Sequence, residues 1–128
     1  MVRHPALYIA PSPVGGRGVF TATDLSPGEC VEICPTIIIP KEELPLIEKT
    51  VLYNYYFQWG ENFADGAIAL GFGSLYNHSH EPNAKYELDF DQCTIDFVII
   101  KPISAGEEIF VSYNGDENNK GQVWFEKM

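Results

Sequence analysis

The sequence predicts a mainly β fold with little helix, and three observations support this class. Turn-forming residues recur roughly every eight to twelve positions, a spacing typical of proteins built from short strands. The segments between these turns are short, apolar and rich in β-branched residues. One segment, after Pro40, has the features of a helix start.

The elements of the first half follow from this punctuation. Two short apolar strands at residues 7–9 and 18–20 flank a loop rich in proline and glycine at residues 11–16. Residues 26–29 (SPGE) predict a turn, and the Ile-rich residues 30–39 predict a long strand. Residues 41–44 predict a helix that Pro45 keeps short or displaced.

The second half predicts a hairpin and a last strand. Residues 86–90 alternate apolar and polar, Asp91 and Gln92 can turn, and residues 94–100 resume a strand. Residues 104–107 turn again, and residues 109–111 form a strand that leads into Tyr113. The segment 36–71 is dense in aromatic residues that could line a peptide groove, cover the core or form a dimer face. These residues are Tyr53, Tyr55, Tyr56, Phe57 and Trp59.

Length and charge narrow the class of protein. A chain of 128 residues predicts a single domain. The net charge is −10 and the basic residues form no cluster, which argues against direct binding to a nucleic-acid backbone. An acidic surface suits a cationic partner such as a lysine-rich peptide, although charge alone is explained as well by solubility.

No feature of the sequence predicts a membrane or secreted protein. The longest apolar run, residues 31–40, is interrupted by Glu32 and Pro35, and the N-terminus lacks the apolar stretch of a secretory signal. We therefore expect a soluble intracellular protein, cytoplasmic if bacterial and possible in the nucleus if eukaryotic or viral. Its three cysteines lack zinc-site spacing and are expected to be reduced thiols.

Taken one at a time, the polar motifs are explained by ordinary structural roles. Residues 15–18 (GGRG) precede a strand and match no phosphate-binding fingerprint, so alone they indicate an ordinary turn. His78 and His80 have no third metal ligand nearby and favour a structural role. Tyr113 alone would be read as a core aromatic.

Read together and in order, three motifs resemble the SET domain family. Residues 16–20 (GRGVF) are similar to its N-terminal G-x-G segment, and residues 77–83 (NHSHEPN) to its NHSxxPN signature. Residues 106–109 (GEEI), followed by Tyr113, resemble its closing GEEL strand and tyrosine. The motif segments 15–20, 74–84 and 106–113 extend over most of the chain.

The resemblance implies a fold and an activity. The fold is a β-clip of small sheets around a knot-like core, in which the NHSxxPN segment threads beneath the loop bearing the catalytic tyrosine. The activity is transfer of a methyl group from S-adenosylmethionine to a lysine side chain of a basic, histone-like protein or peptide. Cofactor and lysine would enter from opposite faces, joined by a narrow channel.

Site residues follow from the motifs position by position. Tyr113 matches the catalytic tyrosine. Gly16 and Arg17 match a loop that contacts the amino-acid portion of the cofactor, and Asn77 and His78 match the cofactor-binding pair. Two further tyrosines are assigned to the substrate channel. Tyr76 is assigned through its backbone carbonyl, and Tyr86 by counting from the NHSxxPN signature.

Two departures from the family pattern carry predictions. Many members have a zinc-binding cysteine where this chain has His80, so no metal is expected. Residues 121–128 resemble a short aromatic lid, in which Trp124 either contacts the cofactor or simply packs. The second departure is the short insert at residues 36–71. Because so little chain is available to build a substrate groove, we expect that a homodimer completes it. Two alternatives stay open: a non-catalytic binding module for the cofactor or a basic peptide, and methylation of a small amine or of another protein residue.

Overall fold

The strands of this computed structural model, which describes residues 2–113, form three small sheets. The prediction of a mainly β fold with little helix is confirmed. The strands and the helix are β1 (Leu7–Pro11), β2 (Arg17–Thr21), β3 (Cys30–Ile39), α1 (Leu44–Ile47), β4 (Tyr56–Trp59), β5 (Asp65–Ala69), β6 (Asn77–His78), β7 (Ala84–Asp89), β8 (Thr94–Ile99) and β9 (Phe110–Val111). Short 3-10 turns occur at Val51–Asn54, Glu61–Phe63 and Gly73–Leu75.

The first sheet is the antiparallel hairpin β1–β2, and it contains both strands predicted in this region. Pro11 faces Arg17 at the closed end of the hairpin, so the connecting loop turns the chain through residues 12–16. Gly15 and Gly16 have φ values of 130° and 58°, a region that residues with a Cβ rarely adopt. The glycines of the first motif are therefore required by the shape of this loop.

The second sheet has the strand order β4-β5-β3-β8-β7, with antiparallel pairing throughout. The predicted hairpin corresponds to β7 and β8, and the predicted long strand corresponds to β3. Strands β4 and β5 were not predicted. Their segment combines aromatic residues with the small residues of β5 (DGAIA), which do not have the alternation that marks a strand.

Helix α1 is one turn long and begins at Leu44. The sequence predicted a helix start at residues 41–44 that Pro45 would shorten or displace, and the structure shows the displaced form. Pro45 occupies the first turn, where its missing N–H group costs no hydrogen bond.

The third sheet joins the two most distinctive motifs. Strand β6 pairs in parallel with β9, placing Asn77 opposite Phe110 and His78 opposite Val111. The N–H of Ser79 donates to the carbonyl of Val111 (3.0 Å). The NHSHEPN segment therefore lies against the strand that leads into Tyr113, as the family resemblance implied.

The core lies where the three sheets meet. Its members are fully buried β-branched and aromatic side chains from every sheet: Val19, Val31, Ile95, Phe97, Ile99, Ile109 and Val111. Removing each aliphatic side chain from water contributes about 1.5–3 kcal/mol. This core fixes β2, β6 and β9 side by side, which positions the site described next. Across residues 2–113, no helix has the length and apolar character needed to cross a bilayer.

Candidate active site

A cleft of about 350 Å³ opens where β2, β6 and the end of β9 converge. This volume lies within the usual range for small-molecule sites. The cleft brings together four residues that the sequence singled out from three separate motifs: Gly16, Arg17, Asn77 and Tyr113. Its remaining lining residues are Gly15, Tyr55, Ser74 and Leu75.

Asn77 is held in one orientation on the wall of the cleft. Its Nδ2 donates to the carbonyl of Arg17 (3.0 Å) and to the Glu108 carboxylate (2.8 Å). Both partners are acceptors, so the nitrogen of the amide must face them and the assignment of nitrogen and oxygen is determined. The Oδ1 atom is therefore the available acceptor of this side chain.

Glu108 is a buried carboxylate behind Asn77, with 7% of its surface exposed. Besides the Asn77 amide, it accepts a hydrogen bond from the hydroxyl of Ser12 (2.7 Å). Gly18 makes room for it, since a Cβ there would meet the Glu108 carboxylate and come within 2.8 Å of Asn77 Nδ2. The second glycine of the G-x-G segment is thus explained by close packing beneath the cleft.

We expect Gly18→Ala to weaken ligand binding in the cleft as well as stability. The added methyl must displace Glu108 and Asn77, and overpacking of this kind costs about 1–3 kcal/mol. Gly66→Ala is a matched control, because its Cβ would meet Leu44 and Tyr56 at 2.8 and 2.9 Å, outside the cleft lining. Denaturant unfolding should show losses in both variants, whereas ligand affinity should fall in Gly18→Ala alone. Equal affinities in the two variants would contradict this account.

His78 positions the tyrosine and does not line the cleft. Its Nδ1 accepts a hydrogen bond from the backbone N–H of Tyr113 (2.9 Å), and the two rings lie 5.2 Å apart. The rings of His78 and His80 are in edge contact at 4.6 Å. Within residues 2–113, no three His, Cys, Asp or Glu side chains are grouped to hold a metal ion.

Tyr113 lies at the wall of the cleft with its hydroxyl directed at backbone. The hydroxyl donates to the carbonyl of Tyr76 at 2.6 Å. Burial, with smaller effects from Tyr55, Tyr86 and Glu108, raises the pKa of Tyr113 to about 12. At neutral pH the phenol is therefore protonated, so it can orient a reacting group but has little capacity to act as a base.

The two tyrosines assigned to the channel are placed differently from each other. The Tyr76 side chain is turned into the core, where its ring stacks on Phe97 at 4.2 Å and its hydroxyl donates to Glu32 Oε1 (2.7 Å). The part of Tyr76 that reaches Tyr113 is its carbonyl. Tyr86 packs edge-on against Phe57 at 4.8 Å and lies close enough to Tyr113 to raise its pKa.

Sequence reasoning missed some of the cleft. Tyr55 belongs to the aromatic insert, whose role the sequence left open, and Ser74 and Leu75 precede the signature that drew attention. Glu108 was quoted within the GEEI motif without a role, although an acidic residue directly before a buried apolar segment is an unusual feature that could have identified it. Trp124, the predicted lid residue, lies outside the described residues.

Buried tyrosines also predict how stability depends on pH. Burial is the main cause that raises the pKa values of Tyr56, Tyr86 and Tyr113 from 10.0 to about 12, and it also raises the pKa of Tyr76 well above 10.0. A raised pKa means that the folded state favours the neutral phenol. The contribution of these tyrosines to stability is fully present below pH 10, where the phenols are protonated in both states, and is lost between pH 10 and 12 as the unfolded chain ionises.

Urea unfolding at a series of pH values, with tyrosinate absorbance as a second signal, checks this expectation. The Cys34 thiol, whose pKa burial also raises above 9.0, should start the decline above pH 9. A urea midpoint of unfolding that stays constant up to pH 12 would contradict the inference that these tyrosine hydroxyls are buried.

Comparison with known proteins agrees with this geometry. The SET domain model matches residues 16–114. A Schizosaccharomyces pombe protein named histone-lysine N-methyltransferase, H3 lysine-37 specific, is 34% identical over 127 residues, which cover 98% of this chain and 80% of that protein. The crystal structure of a Plasmodium falciparum protein assigned as a histone methyltransferase is 31% identical, with a TM-score of 0.73, and the match covers 98% of this chain and 99% of that one.

A more distant structure shares the fold. It is a humanized mutant of the Chaetomium thermophilum Polycomb Repressive Complex 2, with 23% identity and a TM-score of 0.72 over 94% of this chain and 16% of that one. The matched family segment begins at Gly16 and contains the G-x-G segment, the NHSHEPN segment and the strand that leads to Tyr113. This chain therefore belongs to the SET domain family and is a protein-lysine methyltransferase.

Proposed function

We propose that the cleft binds S-adenosylmethionine and that Tyr113 orients a substrate lysine for methylation. The observation that carries the proposal is the contact between the Tyr113 hydroxyl and the Tyr76 carbonyl at the wall of the cleft that Gly16 and Asn77 also line. A hydroxyl and a carbonyl are thereby fixed beside a cavity of cofactor size. S-adenosylmethionine supplies a methyl group activated by its sulfonium.

The polar end of the cleft fits the amino-acid portion of this cofactor. The loop at Gly15 and Gly16 exposes backbone to the cleft because it has no Cβ atoms there. Arg17 lines the same end with a cationic side chain, and Asn77 offers Oδ1 as an acceptor. The carboxylate of such a ligand thus has a cationic partner in Arg17, and its ammonium has an acceptor in Asn77 Oδ1.

The chemistry requires a neutral lysine amine, since an ammonium has no lone pair. Free lysine titrates near 10.4, so deprotonation at neutral pH costs about 4–5 kcal/mol. Tyr113 stays protonated, so the proton leaves to solvent before attack, and the phenol holds the amine in line with the methyl group. Tyr86 and Tyr55 lie close to this hydroxyl and form part of the surrounding aromatic wall.

The substrate in this proposal is a histone H3-like protein. The net charge of −10 favours encounter with a lysine-rich tail, and the Schizosaccharomyces pombe relative is named for histone H3. The proposal also retains residues 1–128 as one domain, Trp124 as a lid over the cofactor and a homodimer as the form that completes the peptide groove.

The test is methyl transfer to histone H3 from S-adenosylmethionine carrying a labelled methyl group. We expect label on one lysine, identified by mass spectrometry of the digested histone, and its loss when that lysine is replaced by arginine. Free lysine and polyamines serve as acceptor controls and should remain unlabelled. Labelling of the small amines but not the histone would replace the protein substrate by a small one, and absence of any transfer would overturn the proposal.

A further inference from the structure

We propose that Glu108 is the counter-charge for the ammonium group of the bound cofactor, acting through Asn77 as a positioning residue. This inference rests on the proposed function, because it assigns a partner to one group of S-adenosylmethionine. It assigns a role to a buried acidic side chain beside a cleft whose lining residues Arg17 and Asn77 supply a cation and an amide.

The first support is the unbalanced charge of Glu108. Its carboxylate is 7% exposed and accepts hydrogen bonds from Ser12 and Asn77, which are both neutral. Within residues 2–113 no Lys, Arg or His forms an ion pair with it. Buried carboxylates are costly unless a cation compensates them. Glu32, the other deeply buried acid, has Arg3 at 3.5 Å.

The second support is the direction of the Asn77 amide. Glu108 and the Arg17 carbonyl both accept from Nδ2, which turns Oδ1 away from them. In the described part of the chain, no hydrogen bond reaches Oδ1. An amide whose nitrogen contacts a carboxylate has a more negative oxygen, because hydrogen bonds in series polarise one another. The oxygen is thereby prepared to accept from a cation.

The third support is the space that the fold reserves for this pair. Gly18 lies directly beneath Glu108 and Asn77, where even a methyl group would collide with both. Ser12 reaches Glu108 from the far side of the glycine loop, across 96 positions of sequence. A carboxylate without a function would be expected to lie where water can solvate it. This one is enclosed and aimed at the residue that lines the cleft.

Glu108→Gln tests the charge with little change of shape. The Gln oxygen can accept from Asn77 while its NH₂ donates to the Ser12 hydroxyl, which accepts as readily as it donates. Glu107→Gln is the matched control, because it removes one charge from the neighbouring residue and keeps an oxygen for the N–H of Ser104. Urea unfolding of both variants verifies that they fold.

The readout is calorimetric binding of two ligands, S-adenosylhomocysteine and its analogue with hydrogen in place of the α-amino group. We expect wild type to prefer the aminated ligand by about tenfold or more, the value of a charge-assisted contact. In Glu108→Gln this preference should largely vanish, because affinity falls only for the aminated ligand. Glu107→Gln should retain it.

Each contrary result has a distinct meaning. If Glu108→Gln lowered the affinity for both ligands equally, Glu108 would be a residue that shapes the cleft. That result overturns the inference and leaves the proposed cofactor in place. A wild type that binds both ligands equally well overturns the inference without any variant. A wild type that binds neither ligand overturns the inference and the proposed cofactor together.

Discussion

Replacing Tyr113 by phenylalanine is expected to lower the rate of methyl transfer by at least about a hundredfold, the usual effect of removing one preorganised polar contact at a reacting group. The hydroxyl lies 2.6 Å from the Tyr76 carbonyl, and in the proposed mechanism it orients the lysine amine. Phenylalanine retains the ring and the backbone N–H that donates to His78. The loss should therefore appear in kcat, whereas affinity for S-adenosylhomocysteine changes by less than about threefold.

Tyr8→Phe is the control for this experiment. Tyr8 is a half-exposed tyrosine on β1 that stacks on Phe20 at 5.8 Å, and it is not among the residues that line the cleft. Its loss of a hydroxyl should leave the rate unchanged. Activity of Tyr113→Phe close to that of wild type would show that the hydroxyl does not orient the amine, and the mechanism proposed above would have to be abandoned.

The largest expected effect on stability comes from Asn83→Ala. Asn83 joins two segments, the NHSHEPN segment and residues 108–110, since its Nδ2 donates to the carbonyl of Glu108 (2.9 Å) and its Oδ1 accepts from the N–H of Phe110 (2.7 Å). Alanine removes both partners and leaves two part-buried backbone groups without them. At about 1–3 kcal/mol for each group, the free energy of unfolding should fall by about 2–6 kcal/mol.

Denaturant unfolding measures this loss, with Asn54→Ala as the control. Asn54 is exposed at the end of a 3-10 turn, so its truncation should change the free energy of unfolding by less than about 0.5 kcal/mol. Asn83→Asp is informative as well, because it keeps the acceptor for Phe110 and loses only the donor. Its stability should lie between those of wild type and Asn83→Ala. If Asn83→Ala were as stable as Asn54→Ala, Asn83 would not join the two segments.

The parts of the fold that sequence could predict are those set by local chemistry. The hairpin of β7 and β8 follows from alternation on either side of a turn, and the first hairpin from its glycines at positive φ. The displaced helix follows from the position of Pro45. In each case the residues that determine the structure are neighbours in sequence.

The parts that could not be predicted depend on contacts between distant segments. Strand β5 is held by β3 and β4 on its two sides, and its own small residues carry little strand propensity. The parallel pairing of β6 with β9 entered through family resemblance, because two-residue strands leave no periodic pattern. Glu108 acquires its role only when Ser12, Gly18 and Asn77 surround it, and no spacing within one motif reveals such a site.

The parallel pairing of β6 with β9 also determines when, during synthesis of the chain, the cleft can be completed. Asn77 acquires its contacts with Glu108 and Phe110 only after the chain beyond residue 100 has been made, and Tyr113 is also needed to complete the cleft, so the first hundred residues do not form it whole. During translation the cleft therefore stays incomplete until β9 has left the ribosome. Contacts of such long range close late, since their loop entropy must be overcome before they stabilise anything. A newly made molecule therefore cannot methylate its surroundings before it has completed its own tertiary structure.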